Sequence, residues 1–341
     1  MKKEKEMKLQ KIICLLLAIL MASALAACGA KPSAPQESSS TVTADGAKAL
    51  KVGFSLPSMS FPFYARMYEQ IESEAKERNW ELSFVDGNLD ATTQLNGLQD
   101  MINNDIDVLV FATWWIDAMT DIMSQCEKKG IPVFVMDNMV IPAGSEKAIT
   151  LTTGTDNYNA GMVGGIWYAN ELNKQGKTSL NMVAISSQSE QMVKRYTGFV
   201  DGLSKNGIDV HLLNTYDGGK RETAMTMAED ALTALPELEL IYGASAQDSL
   251  GAYDATIGAN RTNVLVIGLD GEDEEIQAVD KGQNYIASIT QDPKGQAKLI
   301  ASNIDKWQAG ETFDQIQETP AGIYCAEGQF TGEEILALGK N

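Results

Sequence analysis

Beyond residue 50 the chain alternates short apolar runs with longer stretches whose apolar positions recur at helical spacing. The first five runs are KVGFSL (51–56), ELSFVD (81–86), DVLVFA (107–112), PVFVMD (132–137) and ITLTTG (149–154). Between them lie helix-period segments such as TTQLNGLQDMINN (92–104) and AMTDIMSQCEKKG (118–130), the latter closed by a glycine. Runs of this kind suit strands covered on both faces, which predicts a parallel sheet with crossover helices. The rhythm then repeats. SLNMVAIS (179–186), IDVHLLN (208–214), LELIYGA (238–244), NVLVIGLD (263–270) and YIASIT (285–290) are predicted strands, separated by helices such as MVKRYTGFVDGLSKNG (192–207) and RETAMTMAEDALTAL (221–235). The pattern predicts an α/β protein made of two successive doubly wound halves.

The first thirty residues follow another rule. MKKEKEMKLQKIICLLLAILMASALAACGA has a lysine-rich start, an apolar run from Ile12 to Leu20 and small residues before Cys28, the organisation of an export signal. The uncharged run is barely long enough to span a membrane and ends in small residues, which argues against a transmembrane helix. Leu25-Ala26-Ala27-Cys28 look like the lipobox of a bacterial lipoprotein, in which the cysteine receives a diacylglyceryl group and becomes the new N-terminus. A plain secretory signal with an incidental cysteine is the alternative. Gly29 to Ala47 is rich in Ser, Thr, Ala and Pro with almost nothing to bury, and reads as a flexible tether.

Charge and length narrow the class. From a formal net charge of −19, loss of residues 1–27 removes five lysines and two glutamates and leaves −22. A chain that acidic repels nucleic acid and anionic lipid, so neither is an expected partner. About 290 residues remain after the tether, more than one core usually holds, which favours two domains. Outside the signal, with its Cys14, and Cys28, the cysteines are Cys126 and Cys325, far apart in sequence. Two isolated buried thiols are expected, and a disulfide between them stays open.

In doubly wound sheets ligands bind outside the carboxyl ends of the strands. The residues there are SFPFYARM after the first run, TWWID (113–117) after the third and Asp137-Asn138 after the fourth. In the second half they are SSQSEQMVKR (186–195), Ser245-Ala246-Gln247-Asp248, Asp270-Gly271 and Gln291-Asp292-Pro293. The set combines aromatics, carboxylates, amides and an arginine.

In this order and spacing, FPFY followed by a helix, KKGIPVFVMDN, the TDN of Thr155 to Asn157 with a following glycine, KRYTGF, NVLVIGLDG and ITQDPKGQA resemble the type I periplasmic sugar-binding proteins, particularly their ribose-binding branch. The likeness covers nearly all of residues 50–330. It implies two Rossmann-like parallel-sheet lobes joined by a three-crossing hinge, near Thr155-Asp156, Gln291-Asp292 and Gly322. The expected division is signal peptide 1–27, lipidated Cys28 and tether 28–48, an N-terminal lobe of 49–155 plus 292–322, and a C-terminal lobe of 156–291 plus 323–341.

The resemblance also assigns candidate ligand residues. Phe63 and Tyr64 correspond to sugar-stacking aromatics, whose negative ring faces suit the C–H faces of a sugar; core packing is the other reading. Phe61 falls where the family often has a polar ligand residue, and Pro62 suits the first turn of a helix. Asp137 matches a carboxylate that accepts sugar hydroxyls. Asn138 replaces a frequent arginine, which weakens a claim for ribose itself. Arg195 matches a binding arginine of the opposite lobe, with a solvated helix arginine as the plain alternative. Asp270 matches an acidic ligand residue, and Gln291 an amide at the hinge. Ser245 stands in place of an asparagine, and the aromatic expected after IDVHLLN has become Gly218 or Gly219. Trp114 or Trp115 is a candidate replacement for that bulk. Glu272-Asp273-Glu274-Glu275 reads as favourable charge at a helix N-terminus and lacks the spacing and glycine of a calcium loop.

Catalysis has little to stand on. The sole histidine, His211, lies inside an apolar run, and no HExxH, CxxC pair or P-loop is present. Asp137 and Asp270 as a glycosidase pair would conflict with their assignment to opposite lobes. The expectation is therefore no enzyme and no cofactor or metal. The chain is expected to be a monomeric, lipid-anchored, extracytoplasmic solute-binding protein of an ABC importer, closing on a sugar or polyol and presenting it to a permease. A ligand-sensing receptor, for a furanosyl signal such as autoinducer-2 or a sugar shown to a chemoreceptor or sensor kinase, uses the same pocket and is the alternative.

Overall fold

In the computed structural model, residues 48–339 are described; the expected export signal, Cys28 and the expected tether up to residue 47 lie outside the described residues. Five parallel strands, β1 (Lys51–Leu56), β2 (Glu81–Asp86), β3 (Val108–Ala112), β4 (Val133–Met136) and β5 (Ile149–Gly154), are linked by α1 (Pro62–Glu77), α2 (Ala91–Asn103) and α3 (Thr120–Lys129). A second series follows: α4 (Asn157–Lys174), β6 (Ser179–Ser186), α5 (Glu190–Lys205), β7 (Asp209–Asp217), α6 (Arg221–Ala234), β8 (Leu240–Gly243), α7 (Ala246–Gly258), β9 (Leu265–Asp270), α8 (Asp273–Asp280) and β10 (Tyr285–Thr290). The chain then returns through α9 (Pro293–Gln308) and β11 (Ile316–Glu318), and ends with β12 (Gly322–Cys325), β13 (Gly328–Thr331) and α10 (Gly332–Leu338).

The first sheet has the order β11-β5-β4-β3-β1-β2 and the second β13-β12-β10-β9-β8-β6-β7. The chain passes between them three times: at 155–156, at 291–292 and at 319–321, with Gly322 already the first residue of β12. This is the two-lobed, three-crossing α/β architecture predicted from the sequence.

Strand burial follows the pleat. Along β3, Val108, Val110 and Ala112 join a core with Phe54, Phe63, Tyr64 and Met67, while Leu109 and Phe111 join another with Leu98, Ile102, Met119 and Cys126. Both faces are covered by helices, which is why the run is apolar throughout. The edge strands β2 and β7 are only partly buried: Glu81, Ser83, Asp209, His211 and Asn214 occupy exposed positions and Asp86 a partly buried one. His211 is on β7, exposed, between Asn181 and Asp209.

Local chemistry sets the helix starts. Pro62 opens α1; the carboxylates of Asp90, Asp156 and Asp292 accept backbone N–H groups of α2, α4 and α9, and the acidic run after Asp270 forms a capping box with Glu272 and Glu275 at the start of α8. Helices α4 and α5 lie nearly backbone to backbone: a Cβ on Gly161 would come within 2.0 Å of the Arg195 carbonyl oxygen, and one on Gly198 within 2.1 Å of that of Tyr158. Glycine at both positions lets α5 seat against α4 and fixes the height of Arg195.

Two expectations change. The second sheet is not wholly parallel, because β12 runs antiparallel to β10 and pairs with β13 through a two-residue link, which permits only an antiparallel hairpin. The helix expected over 118–130 begins as a 3₁₀ turn, Ile116–Met119, before α3, and stops at Gly130 in the left-handed conformation. Cys126 and Cys325 are both buried and both free thiols.

Candidate functional site

On the first lobe the strand ends gather rings around one carboxylate. Phe61 precedes α1, while Phe63 and Tyr64 lie in its first turn, 8% and 4% exposed. Trp114, after β3, is 49% exposed and lies 5.3 Å from Phe61 and 6.0 Å from Tyr64, centroid to centroid. Trp115 stacks edge-on against Trp114 at 6.0 Å. The Trp114 indole N–H donates to the Tyr64 hydroxyl at 2.5 Å, and that hydroxyl donates to Asp137 Oδ2 at 2.8 Å. Asn138 is turned aside, its Oδ1 accepting the Val140 N–H at 2.8 Å.

The second lobe presents a polar net. Arg195, 6% exposed, donates from Nε to Asn157 Oδ1 at 2.7 Å, and from Nη1 to the Ala244 carbonyl at 2.8 Å and to Asp270 Oδ1 at 3.1 Å. Gln291 Nε2 donates to the same Oδ1 at 2.8 Å, and Asp270 Oδ2 accepts the Ala246 N–H at 3.0 Å. Ser245 caps α7 and donates to Asp248 Oδ2 at 2.8 Å. Asp248 Oδ1 accepts the Gly219 N–H at 2.6 Å and stands 2.2 Å from where a Cβ on Gly218 would be. The loop that lacks the expected aromatic is thus folded around a buried carboxylate. Between the lobes, Arg66 of α1 donates to the Gly271 carbonyl at 3.2 Å and pairs with Asp273 at 2.6 Å.

A family model described as a periplasmic binding protein domain matches residues 52–312, most of the chain. The chain belongs to the periplasmic binding protein family. It is similar to the ribose import binding protein of Bacillus subtilis, 24% identical over 274 residues that cover 80% of this chain and 86% of the relative. A Mycobacterium smegmatis ABC transporter solute-binding protein with bound glycerol superposes with a TM-score of 0.69 at 27% identity, over 85% of this chain and 96% of that one. An Actinobacillus succinogenes periplasmic solute-binding protein with bound D-allose has a TM-score of 0.72 at 20% identity, over 82% and 98%. Members of this family bind solutes and are not enzymes.

Electrostatics in this periplasmic binding protein are set by burial. Asp137 is pushed up to about 6 by desolvation and by Asp270, against the lowering effects of the Tyr64 hydrogen bond and of Arg195. Asp248 reaches about 6, Glu275 about 7 and Glu272 about 8, each through desolvation first, with Asp270 adding repulsion. Burial and Asp137 hold Tyr64 well above the ordinary phenol range, so it remains a donor.

Asp137 and Asp270 share a second property: both sit at positive φ, 54° and 138°. Such backbone costs non-glycine residues roughly 1–3 kcal/mol and marks positions over-determined by their surroundings. For Asp137 the support is Gln296 of α9, whose Oε1 accepts the Asp137 N–H at 3.0 Å while its Nε2 is buried without a protein partner. Gln296 and Asn157 were hidden in the sequence although ITQDPKGQA and TDN stand out, because each acts through a neighbour. Arg66 in FPFYARM was hidden because only the fold brings Asp273 to it.

Proposed function

We propose that this protein is an extracytoplasmic solute-binding lipoprotein of an ABC importer, closing on a monosaccharide or small polyol between its lobes and delivering it to the permease. The observation that carries this reading is the opposition of an aromatic wall holding Asp137 to a polar wall holding Arg195, Asp270 and Gln291. Rings cover C–H faces, and charged groups pair with hydroxyls. Similar proteins include one named for ribose import and ones with bound D-allose and glycerol, which supports a small polyhydroxylated ligand. The ligand residues on this reading are Phe63, Tyr64, Asp137, Arg195, Asp270 and Gln291, with Phe61 and Trp114 at the rim and Asn138, Ser245 and Trp115 supporting them. Closure excludes water, so each polar group left facing the cleft must meet a partner on the ligand, which makes binding selective. Cys28 carries the lipid, and the tether separates it from the lobes.

A thermal-shift panel of pentoses, hexoses, inositols and acyclic polyols tests the reading. A ligand at 100 times its Kd stabilises by about 2.7 kcal/mol. If amino acids or peptides raise the melt and no carbohydrate does, the reading fails. Membrane fractionation tests the anchor: Cys28→Ser is expected to become soluble while its ligand affinity stays unchanged.

A further inference from the structure

We infer that Trp114, Tyr64 and Asp137 form a one-way hydrogen-bonded relay that fixes the Asp137 carboxylate and turns its unpartnered oxygen, Oδ1, to read the ligand, with Tyr64 and Trp114 as its positioning residues. The inference rests on the cleft reading above and adds to it the direction of the relay and its consequence for selectivity.

The direction follows from the chemistry of the groups. An indole N–H only donates, so at 2.5 Å from Trp114 Nε1 the Tyr64 oxygen is the acceptor. The one proton of Tyr64 is then free to point the other way, to Asp137 Oδ2 at 2.8 Å. An ionised carboxylate has only acceptors, so the relay is satisfied in one sense and no other. Among the described residues no hydrogen bond reaches Asp137 Oδ1, while the backbone of Asp137 is pinned from behind by Gln296. Oδ1 is therefore the oxygen with both acceptor positions left for a ligand, held at a fixed angle, while Oδ2 has already given one of its two to Tyr64. Selectivity at this point is weighted toward the ligand hydroxyl that meets Oδ1.

The relay also tunes charge. The groups facing the Asp137 carboxylate are the Tyr64 hydroxyl from α1, Arg195 from α5 and Asp270 at the end of β9. Asn138 beside it is neutral and turned to Val140. Tyr64 is thus the only first-lobe group among these that favours the ionised form. Trp114, Tyr64 and Asp137 belong to one lobe, so the relay is in place whether the lobes are together or apart.

The test reads Asp137 directly. In the ligand-free full chain, carbon-13 NMR of the aspartate carboxyls is expected to show Asp137 titrating near pH 6. Tyr64→Phe keeps the ring and removes the donor, and is expected to raise that midpoint by roughly one pH unit. Trp114→Phe, at a half-exposed position and so safe for the fold, is expected to raise it less and in the same direction. Calorimetry with D-ribose, D-allose and myo-inositol as probes between pH 5 and 8 forms the second arm. Any probe that binds is expected to weaken about tenfold per pH unit below the Asp137 midpoint, with the onset moved upward in Tyr64→Phe. An unchanged midpoint in both variants overturns the relay, and so does a shifted midpoint with probe affinity indifferent to pH. A shifted midpoint with no probe bound upholds the relay and removes the sugar reading instead.

Discussion

The cleft wall on the first lobe presents rings and one carboxylate, with Phe61, Phe63, Tyr64 and Trp114 packed at 5.3 to 6.4 Å around each other beside Asp137. The wall on the second lobe has glycine where a ring was expected and consists of Arg195, Asp270, Gln291 and Asp248, whose hydrogen bonds are largely spent on their own lobe. The difference separates two ways of preparing a site. Rings need only neighbours of the right shape, so a rim ring such as Trp114 contributes little to folding. A charged net must be internally complete before it can be buried, so each of its members also holds up the lobe.

Arg195→Ala gives the largest expected effect. It leaves Asn157 Oδ1 and the Ala244 carbonyl without the guanidinium donor and strips Asp270 of its only cationic partner among the described residues, leaving that carboxylate with the Gln291 amide and the Ala246 N–H. Breaking a buried pair in this way is expected to cost the ligand-free protein about 3 to 5 kcal/mol of stability and to abolish tight binding. An unchanged urea midpoint with lost affinity would break the comparison, since Arg195 would then be a ligand group only. Phe63→Ala sharpens it from the other side. At 8% exposure in the first-lobe core, truncation is expected to cost about 3 kcal/mol of stability. Trp114→Ala is expected to leave the melt nearly unchanged and to weaken binding by about 1 kcal/mol. If the two variants behave alike, the first wall is not divided into core and rim.

Acidity gives a smaller contrast, of number and not of kind: burial pushes up Asp137 on the first wall and several carboxylates in the second lobe. Asp248, Glu272 and Glu275 of the second lobe keep their protons to higher pH in the folded than in the unfolded chain. The folded state then binds more protons between about pH 4 and 8, so stability falls as pH rises through that window. The ligand-free Tm is expected to be a few degrees higher at pH 5 than at pH 8, and Glu275→Gln to flatten the slope. A flat wild-type profile would contradict it. The smallest effect concerns the bridge between the walls. Arg66→Gln removes an ion pair whose acidic partner is 87% exposed, worth roughly 0.5 kcal/mol and less in high salt. X-ray scattering of the ligand-free variant is expected to show a slightly more open ensemble.

Much of this was legible because it obeys local periodicity. The strands with both faces buried appear in the sequence as uninterrupted runs, and the residues just past them are the ones that gather at the cleft. What stayed hidden depends on distance. Nothing in VMDNM says that Tyr64 and Gln296 reach Asp137 from two helices, and nothing in KRYTG says that Arg195 is buried, since an arginine in a polar helix has the same composition whether it faces water or a net of acceptors. The antiparallel edge escaped because β12 and β13 are four residues each, too short for a pattern to develop. Ser245, chosen as a cleft residue, spends its hydroxyl on Asp248 and the start of α7, a role its position after a strand equally allows.

That Trp114, Tyr64 and Asp137 all belong to the first lobe has a consequence for the order of events in time. If the proposed cleft binds as described, a solute docks on this half alone, so encounter is a second-order step whose rate tracks solute concentration, while the arrival of Arg195 and Asp270 is a first-order step that does not. On that reading residence time would be governed by how often the second lobe lifts away, a motion that the Arg66 contacts would resist at the surface, and capture could be quick and release slow without either rate constraining the other.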